Sequence, residues 1–118
     1  CKRFLKLNVS GAFHSPFMNE PSSKFSEYLK QIKFNNPSFP VISNYEPSLC
    51  SDPNELKIRL EKQMCNGVRW RETMDLMAKD SDLHIVEIGP SNVLSGLGKR
   101  HLKDVKISQV SSSDQISY

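Results

Sequence analysis

The fold class is decided by one stretch of the sequence, Leu83-His84-Ile85-Val86-Glu87-Ile88-Gly89-Pro90. Its first six residues are mostly apolar and branched, a pattern typical of a β-strand buried on both faces. The Gly-Pro pair turns the chain, and Val93, Leu94 and Leu97 then follow at helical spacing. A strand, a tight turn and a helix in this order indicate an α/β fold with a mainly parallel sheet.

The elements on both sides of this stretch alternate in the same way. Further strands are predicted at Phe4 to Ser10, Phe39 to Ser43 and Val105 to Val110. Helices are predicted at about 20–33, from Pro53 to a stop signal at Asn66-Gly67, and from Trp70 to about Lys79. We therefore predict part of a three-layer domain in residues 1–110 and a polar, frayed tail in residues 111–118.

The starts of two helices carry the same signature, a capping side chain followed by proline. Ser15-Pro16 precedes the first helix, and Ser51-Asp52-Pro53 precedes the second. Where the second helix stops, its last carbonyls lack partners within the helix. The backbone oxygen of Gln63 is therefore a candidate acceptor for a group outside the helix.

Composition narrows the classes of function. The 118 residues are 37% hydrophobic and 25% charged, which permits a globular domain. The net charge is only +3, and no basic stripe with interleaved aromatic residues predicts nucleic-acid binding. No stretch approaches the ~20 apolar residues of a membrane span. Cys1, Cys50 and Cys65 lack C-x-x-C spacing, which argues against zinc and a disulfide framework and indicates a reducing compartment.

His14 is the strongest candidate for chemistry. It follows a predicted strand and precedes a helix start, a place where α/β proteins position reactive groups. A histidine there suits general-base catalysis, since its ordinary pKa of about 6.5 lies near neutral pH. From position alone, an ordinary loop histidine is the more frequent case. His84, in an apolar strand, and His101, at a helix end, are weaker candidates.

Two other features can be interpreted either as functional sites or as ordinary structural elements. Gly89-Pro90-Ser91 lies between a strand and a helix, but Val93 replaces the second glycine of a G-x-S-x-G nucleophile elbow, so a helix cap at Ser91 is favoured. Lys99, Arg100 and Lys103 belong to a set of basic residues that either attract an acidic partner or form a solvated surface. The other members of that set are Arg69, Arg71 and Lys106.

Three segments are more distinctive than these single residues. Residues 7–18 read LNVSGAFHSPFM, residues 63–70 read QMCNGVRW and residues 86–97 read VEIGPSNVLSGL. They resemble, in order, the V-S-G-A-F-H-S-P-L-M, Q-x-x-N-P-V-x-W and E-I-G-P-G-x-V-L-x-G-L segments of malonyl-CoA:acyl carrier protein transacylases. The resemblance extends from about Cys1 to Val110, and the three segments together are specific.

The resemblance implies the C-terminal part of an α/β-hydrolase-like acyltransferase domain. Such enzymes move malonyl from coenzyme A to the phosphopantetheine thiol of acyl carrier protein through a malonyl-serine ester, for fatty acid synthesis. His14 is implied as the general base and Gln63 as the residue whose backbone carbonyl orients it. Phe13 is implied to favour malonyl, because its ring crowds an α-methyl group. Malonyl-CoA and the carrier protein are the implied partners, with Lys99, Arg100 and Lys103 as candidate docking residues for the carrier and with no metal or resident cofactor.

The sequence also departs from this family. It has no G-H-S-x-G nucleophile elbow, and Gly67 and Ser91 replace a proline and a glycine at turn positions. The chain begins at Cys1 without methionine, so we expect a fragment that is inactive alone and is completed by the N-terminal part of the same enzyme. The family works in bacterial cytoplasm, plastids (including the apicoplast) and mitochondria, and no secretion signal is visible.

The sequence is also compatible with two alternative functions. One is the same region of an acyltransferase domain within a larger polyketide or fatty acid synthase. The other is a non-catalytic protein that binds acyl carrier protein.

Overall fold

The computed structural model describes residues 10–116. Its contacts define two compact units, one ending at Arg69 and the other beginning at Trp70. The predicted strand from Phe4 lies outside the described residues, apart from Ser10, which is in a bend. No helix among residues 10–116 is long and apolar enough to cross a membrane.

The first unit consists of two helices and a small β-hairpin. A 3-10 turn at Pro16–Met18 leads into α1, Asn19–Gln31, and α2 spans Pro53–Gln63. Between them β1, Val41–Ile42, pairs antiparallel with β2, Leu49–Cys50. The helices contact each other, and Leu29 of α1 is almost fully buried.

The predicted strand at residues 39–43 is real but shorter than expected. Pro40 has no N–H to donate to a ladder, so pairing begins at Val41. Its partner, β2, was not predicted, and the pair is antiparallel rather than part of a parallel sheet.

The two predicted helix starts behave differently. The Asp52 side chain accepts a hydrogen bond from Glu55 N at 2.7 Å and caps α2 as expected. Ser15 makes no side-chain cap, and its hydroxyl instead donates to the Ala12 carbonyl at 2.6 Å. The capping role predicted for Ser15 is therefore wrong, because the hydroxyl closes the preceding turn.

The end of α2 also differs from the prediction. The helix ends at Gln63, before the expected stop at Asn66-Gly67, and Gly67 does not have a positive φ. Instead the Asn66 side-chain amide donates to the Lys62 carbonyl at 2.7 Å and satisfies one of the last carbonyls of the helix. A side-chain cap thus replaces the left-handed glycine.

The second unit is a β–α–β arrangement preceded by a helix. It comprises α3, Trp70–Met77; β3, His84–Ile88; α4, Val93–His101; and β4, Lys106–Val110. β3 and β4 are parallel and in register from His84↔Lys106 to Ile88↔Val110. α4 lies close to β4, since a methyl group at Gly98 would be 2.9 Å from Ile107 Cδ1.

Burial along β3 corrects the prediction of a strand buried on both faces. Glu87 is buried and Ile85 is half-buried, whereas Ile88 is 84% exposed and Val86 is 44% exposed. The alternation shows that one face of the strand is covered and the other is open to solvent. Beyond β4, Ser113–Gln115 forms a 3-10 turn within the segment predicted to be frayed.

Candidate active site

A tight turn presents His14 at the surface of the first unit. The residue has φ 62°, in the left-handed region that non-glycine residues seldom adopt. Its backbone N–H donates to the Met64 carbonyl at 3.0 Å, which anchors the turn to the end of α2. The side chain is exposed, so the ring is open to a reactant.

The His14 ring lies against the end of α2. Its Nδ1 is 3.0 Å from the backbone oxygen of Gln63, the last residue of the helix. A carbonyl oxygen only accepts hydrogen bonds, so this contact is a hydrogen bond when Nδ1 carries a proton. In the neutral ring Nε2 then has a free lone pair, which is the form needed by a general base.

The hairpin is tied to α2 by a buried arginine. Arg59 is 8% exposed, and its Nη1 donates to the carbonyls of Ser48 at 2.9 Å and Glu46 at 3.3 Å. Its Nε donates to Glu55 Oε1 at 2.9 Å. These bonds fix the helix that ends at Gln63, so they support the carbonyl facing His14.

Phe13 lies beside His14 and is 59% exposed. Its ring packs over Gly11, where an added methyl group would lie 3.0 Å from Phe13 Cε2. The structure thus places Phe13, His14 and Gln63 in the first unit. The selectivity assigned to Phe13 and the catalytic roles of His14 and Gln63 stay predictions.

The three basic residues proposed for carrier docking belong to the second unit. Lys99 and Arg100 are in the last turn of α4, Lys103 follows the helix, and all three are exposed. Cations at this end of a helix are favoured by the helix dipole. Arg100 Nε also donates to the Gly96 carbonyl at 3.1 Å, whereas docking itself stays a prediction.

The other two histidines have side-chain partners of their own. His84 Nε2 is 3.0 Å from Ser108 Oγ across the β3–β4 ladder. His101 Nε2 is 2.7 Å from Asp75 Oδ1, which ties the end of α4 to α3. These contacts connect neighbouring elements of the second unit and account for both side chains structurally.

Glu87 has a role that the sequence did not reveal. Its carboxylate is buried and accepts from Ser95 N at 2.8 Å and Leu94 N at 3.2 Å, in the first turn of α4. Asn92 and Ser91 do not cap the helix: Asn92 makes no side-chain cap, and the Ser91 hydroxyl lies 3.5 Å from Glu87 Oε1 as a donor. The cap predicted at Ser91 is therefore wrong, because a carboxylate from β3 occupies its place.

The first turn of α4 also acts on the acidity of Glu87. The Ser95 side chain, followed by the backbone N–H groups of Ser95 and Leu94, lowers the pKa of its carboxyl from the ordinary value of 4.5, although burial acts in the opposite direction. A lowered pKa means that the ionised form is favoured in the folded state. Stability from this carboxylate is present above pH 4.5 and is lost as the pH falls through the folded-state pKa.

We expect Glu87→Gln to lower the melting temperature at neutral pH and to flatten its decline under acid conditions. The amide supplies one acceptor but turns an NH₂ towards a helix start that needs acceptors. Thermal melts from neutral pH to below pH 4.5 provide the measurement. Glu61→Gln, on α2, is the matched control, and a similar change in both variants would argue against the cap.

Comparison with known proteins finds relatives that match most of this chain. No protein-family model matches the chain. A malonyl CoA-acyl carrier protein transacylase of Synechocystis sp. is 40% identical over 116 residues, which are 98% of this chain and 40% of that protein. A polyketide biosynthesis malonyl CoA-acyl carrier protein transacylase of Bacillus subtilis is 39% identical over 105 residues, covering 86% of this chain and 35% of that protein.

Solved structures show the same likeness. The crystal structure of a Synechocystis malonyl-CoA:ACP transacylase has a TM-score of 0.85 at 42% identity and covers 92% of this chain and 37% of that one. A malonyl-transacylase solved with a type II polyketide acyl carrier protein has a TM-score of 0.84 at 30% identity and covers 92% of this chain and 35% of that one. The predicted α/β fold class is confirmed, and this chain spans about 40% or less of the relatives it matches. By sequence and by fold, the chain is similar to the C-terminal part of malonyl CoA-acyl carrier protein transacylases.

Proposed function

We propose that the protein to which this chain belongs transfers malonyl from coenzyme A to the phosphopantetheine thiol of acyl carrier protein. The observation that carries the proposal is the 3.0 Å contact between His14 Nδ1 and the Gln63 carbonyl. It leaves Nε2 available as a base, with a neutral acceptor where a Ser-His-Asp triad has a carboxylate. The names of the relatives support the substrates.

The proposed reaction has two halves that use the same base. His14 Nε2 takes the proton of a serine hydroxyl while the oxygen attacks the malonyl thioester. The tetrahedral intermediate then collapses to the serine ester, and the departing coenzyme A sulfur receives the proton from the imidazolium. In the second half, Nε2 takes the proton of the carrier thiol, the sulfur attacks the ester, and the serine oxygen leaves and is reprotonated.

The serine in this scheme comes from outside the 118 residues, so the chain alone is proposed to be inactive. Phe13 beside the base is proposed to favour malonyl over methylmalonyl. Coenzyme A enters as part of a substrate, and the scheme needs no resident cofactor. We further propose a bacterial cytoplasm or an organelle such as a plastid or mitochondrion as the compartment.

We propose that the acceptor is the acyl carrier protein of fatty acid synthesis. Service to a polyketide carrier is the second candidate, because the Bacillus subtilis polyketide relative is almost as similar to this chain as the Synechocystis one, at 39% against 40% identity. Rates with fatty acid and polyketide carriers, measured side by side, separate the two.

The test uses a chimera in which this chain replaces the matching segment of the Synechocystis relative. We expect the chimera to form malonyl-carrier protein from malonyl-CoA, and the isolated chain to form none. A folded chimera without transfer, beside an active parent enzyme, would reject the proposed function.

The basic residues Lys99, Arg100 and Lys103 are proposed to attract an acidic carrier protein. Changing all three to Glu in the chimera is expected to raise the KM for the carrier about tenfold at low salt, and less at high salt. The KM for malonyl-CoA is the internal reference. The control variant has the same change in charge elsewhere on the chain, with Glu in place of Lys30, Lys33 and Lys79. An equal effect of both triple variants on the KM for the carrier would reject a local docking surface.

A further inference from the structure

The side chain of Gln63 approaches the same ring nitrogen as its backbone. Gln63 Nε2 lies 3.2 Å from His14 Nδ1, while the Gln63 backbone oxygen lies 3.0 Å from that atom. One residue therefore presents two polar atoms to one nitrogen. An oxygen accepts and an amide NH₂ donates, so the two contacts require opposite protonation states of Nδ1.

Neither protonation state of Nδ1 satisfies both contacts as they stand. With a proton on Nδ1, the backbone oxygen accepts but two N–H groups face each other at 3.2 Å. Without that proton, the amide donates but two lone pairs face each other at 3.0 Å. Rotating the amide by half a turn exchanges its nitrogen and oxygen, which have nearly the same shape. Nδ1–H then has two acceptors and no conflict.

We propose that Gln63 orients His14 with both of its oxygens, the backbone carbonyl and the side-chain Oε1, which accept together from Nδ1–H. Gln63 is thus a positioning residue whose side chain, as well as its backbone, fixes the tautomer that leaves Nε2 basic. Only the effect of this side chain on catalysis depends on the proposed function. The tautomer itself is observable without any turnover.

The experiment uses the chimera with ring-¹⁵N-labelled histidine, and His14→Ala assigns the His14 signals. Nitrogen shifts of the neutral ring show which nitrogen carries the proton. Gln63→Met removes both side-chain polar atoms and keeps length and backbone, whereas Gln63→Glu keeps an acceptor and cannot donate when ionised. Gln31→Met, at the end of α1, is the matched control for folding by circular dichroism.

We expect neutral His14 to carry its proton on Nδ1 in the parent chimera and in Gln63→Glu. In Gln63→Met, the Nε2–H tautomer should increase and kcat should fall about threefold to tenfold, the range for one hydrogen bond, with KM unchanged. A proton on Nε2 in the parent, or a tautomer and kcat unchanged in Gln63→Met, would overturn the inference. If Gln63→Met does not fold, Gln63→Leu, which also lacks polar side-chain atoms, takes its place with the same expected result. A parent with Nδ1–H that shifts towards Nε2–H in Gln63→Met, but shows no transfer, would reject the proposed function while supporting the hydrogen bonding inferred here.

Discussion

His14→Ala is expected to lower kcat/KM for malonyl transfer by the chimera about 10²–10⁴-fold, the usual contribution of a general base. Without the imidazole, no group on the described turn takes up the serine proton during attack or returns it to the departing sulfur. The variant keeps the backbone N–H of residue 14, whose bond to the Met64 carbonyl anchors the turn. The loss should therefore appear in kcat rather than in folding.

Rates of malonyl-enzyme formation and of carrier acylation measure this effect in both halves of the reaction. His84→Ala is the matched control, because that histidine is also exposed but has Ser108 as its partner on β4. Equal rates in His14→Ala and His84→Ala would contradict the proposed base.

Arg59→Met is expected to reduce the free energy of unfolding of the chain by about 2–4 kcal/mol. Methionine retains the apolar stem of the side chain but leaves the part-buried carbonyls of Ser48 and Glu46 without their donor. The Glu55 carboxylate is 46% exposed, so water replaces its lost partner more easily. Most of the cost therefore falls on the hairpin.

Urea unfolding followed by circular dichroism measures this loss. Arg71→Met, at an exposed position of α3, is the control and should change stability by no more than about 0.5 kcal/mol. A loss in Arg59→Met as small as that of the control would show that Arg59 does not hold the hairpin to α2.

The helices and the parallel strands were predictable because their signals are local. The apolar spacing of Val93, Leu94 and Leu97 predicts α4, and the run from Leu83 predicts β3. The missed strand, β2, has only two residues, too few to show an alternating pattern. The burial predicted for both faces of β3 is found on only one face within this chain, because a sequence pattern does not reveal which neighbours are present.

The site was predictable only in part, for a similar reason. The free carbonyls at the end of α2 follow from the helix stop, but the partner of Gln63 is 49 positions away and came from the family resemblance alone. The Glu87 cap spans the turn between β3 and α4, so no capping motif within the helix itself indicates it. The φ of His14 is set by the surrounding turn, and its residue type alone does not predict it.

At position 14, the residue that the proposed chemistry requires is not the residue that the backbone conformation favours. A left-handed residue with a Cβ costs about 1–2 kcal/mol relative to glycine, and asparagine or aspartate also tolerates that conformation. In a survey of all substitutions at this site, a screen for abundance would thus favour Gly or Asn, whereas a screen for malonyl transfer would retain only His. Stabilising the chain by relieving this strain would remove the function proposed for it.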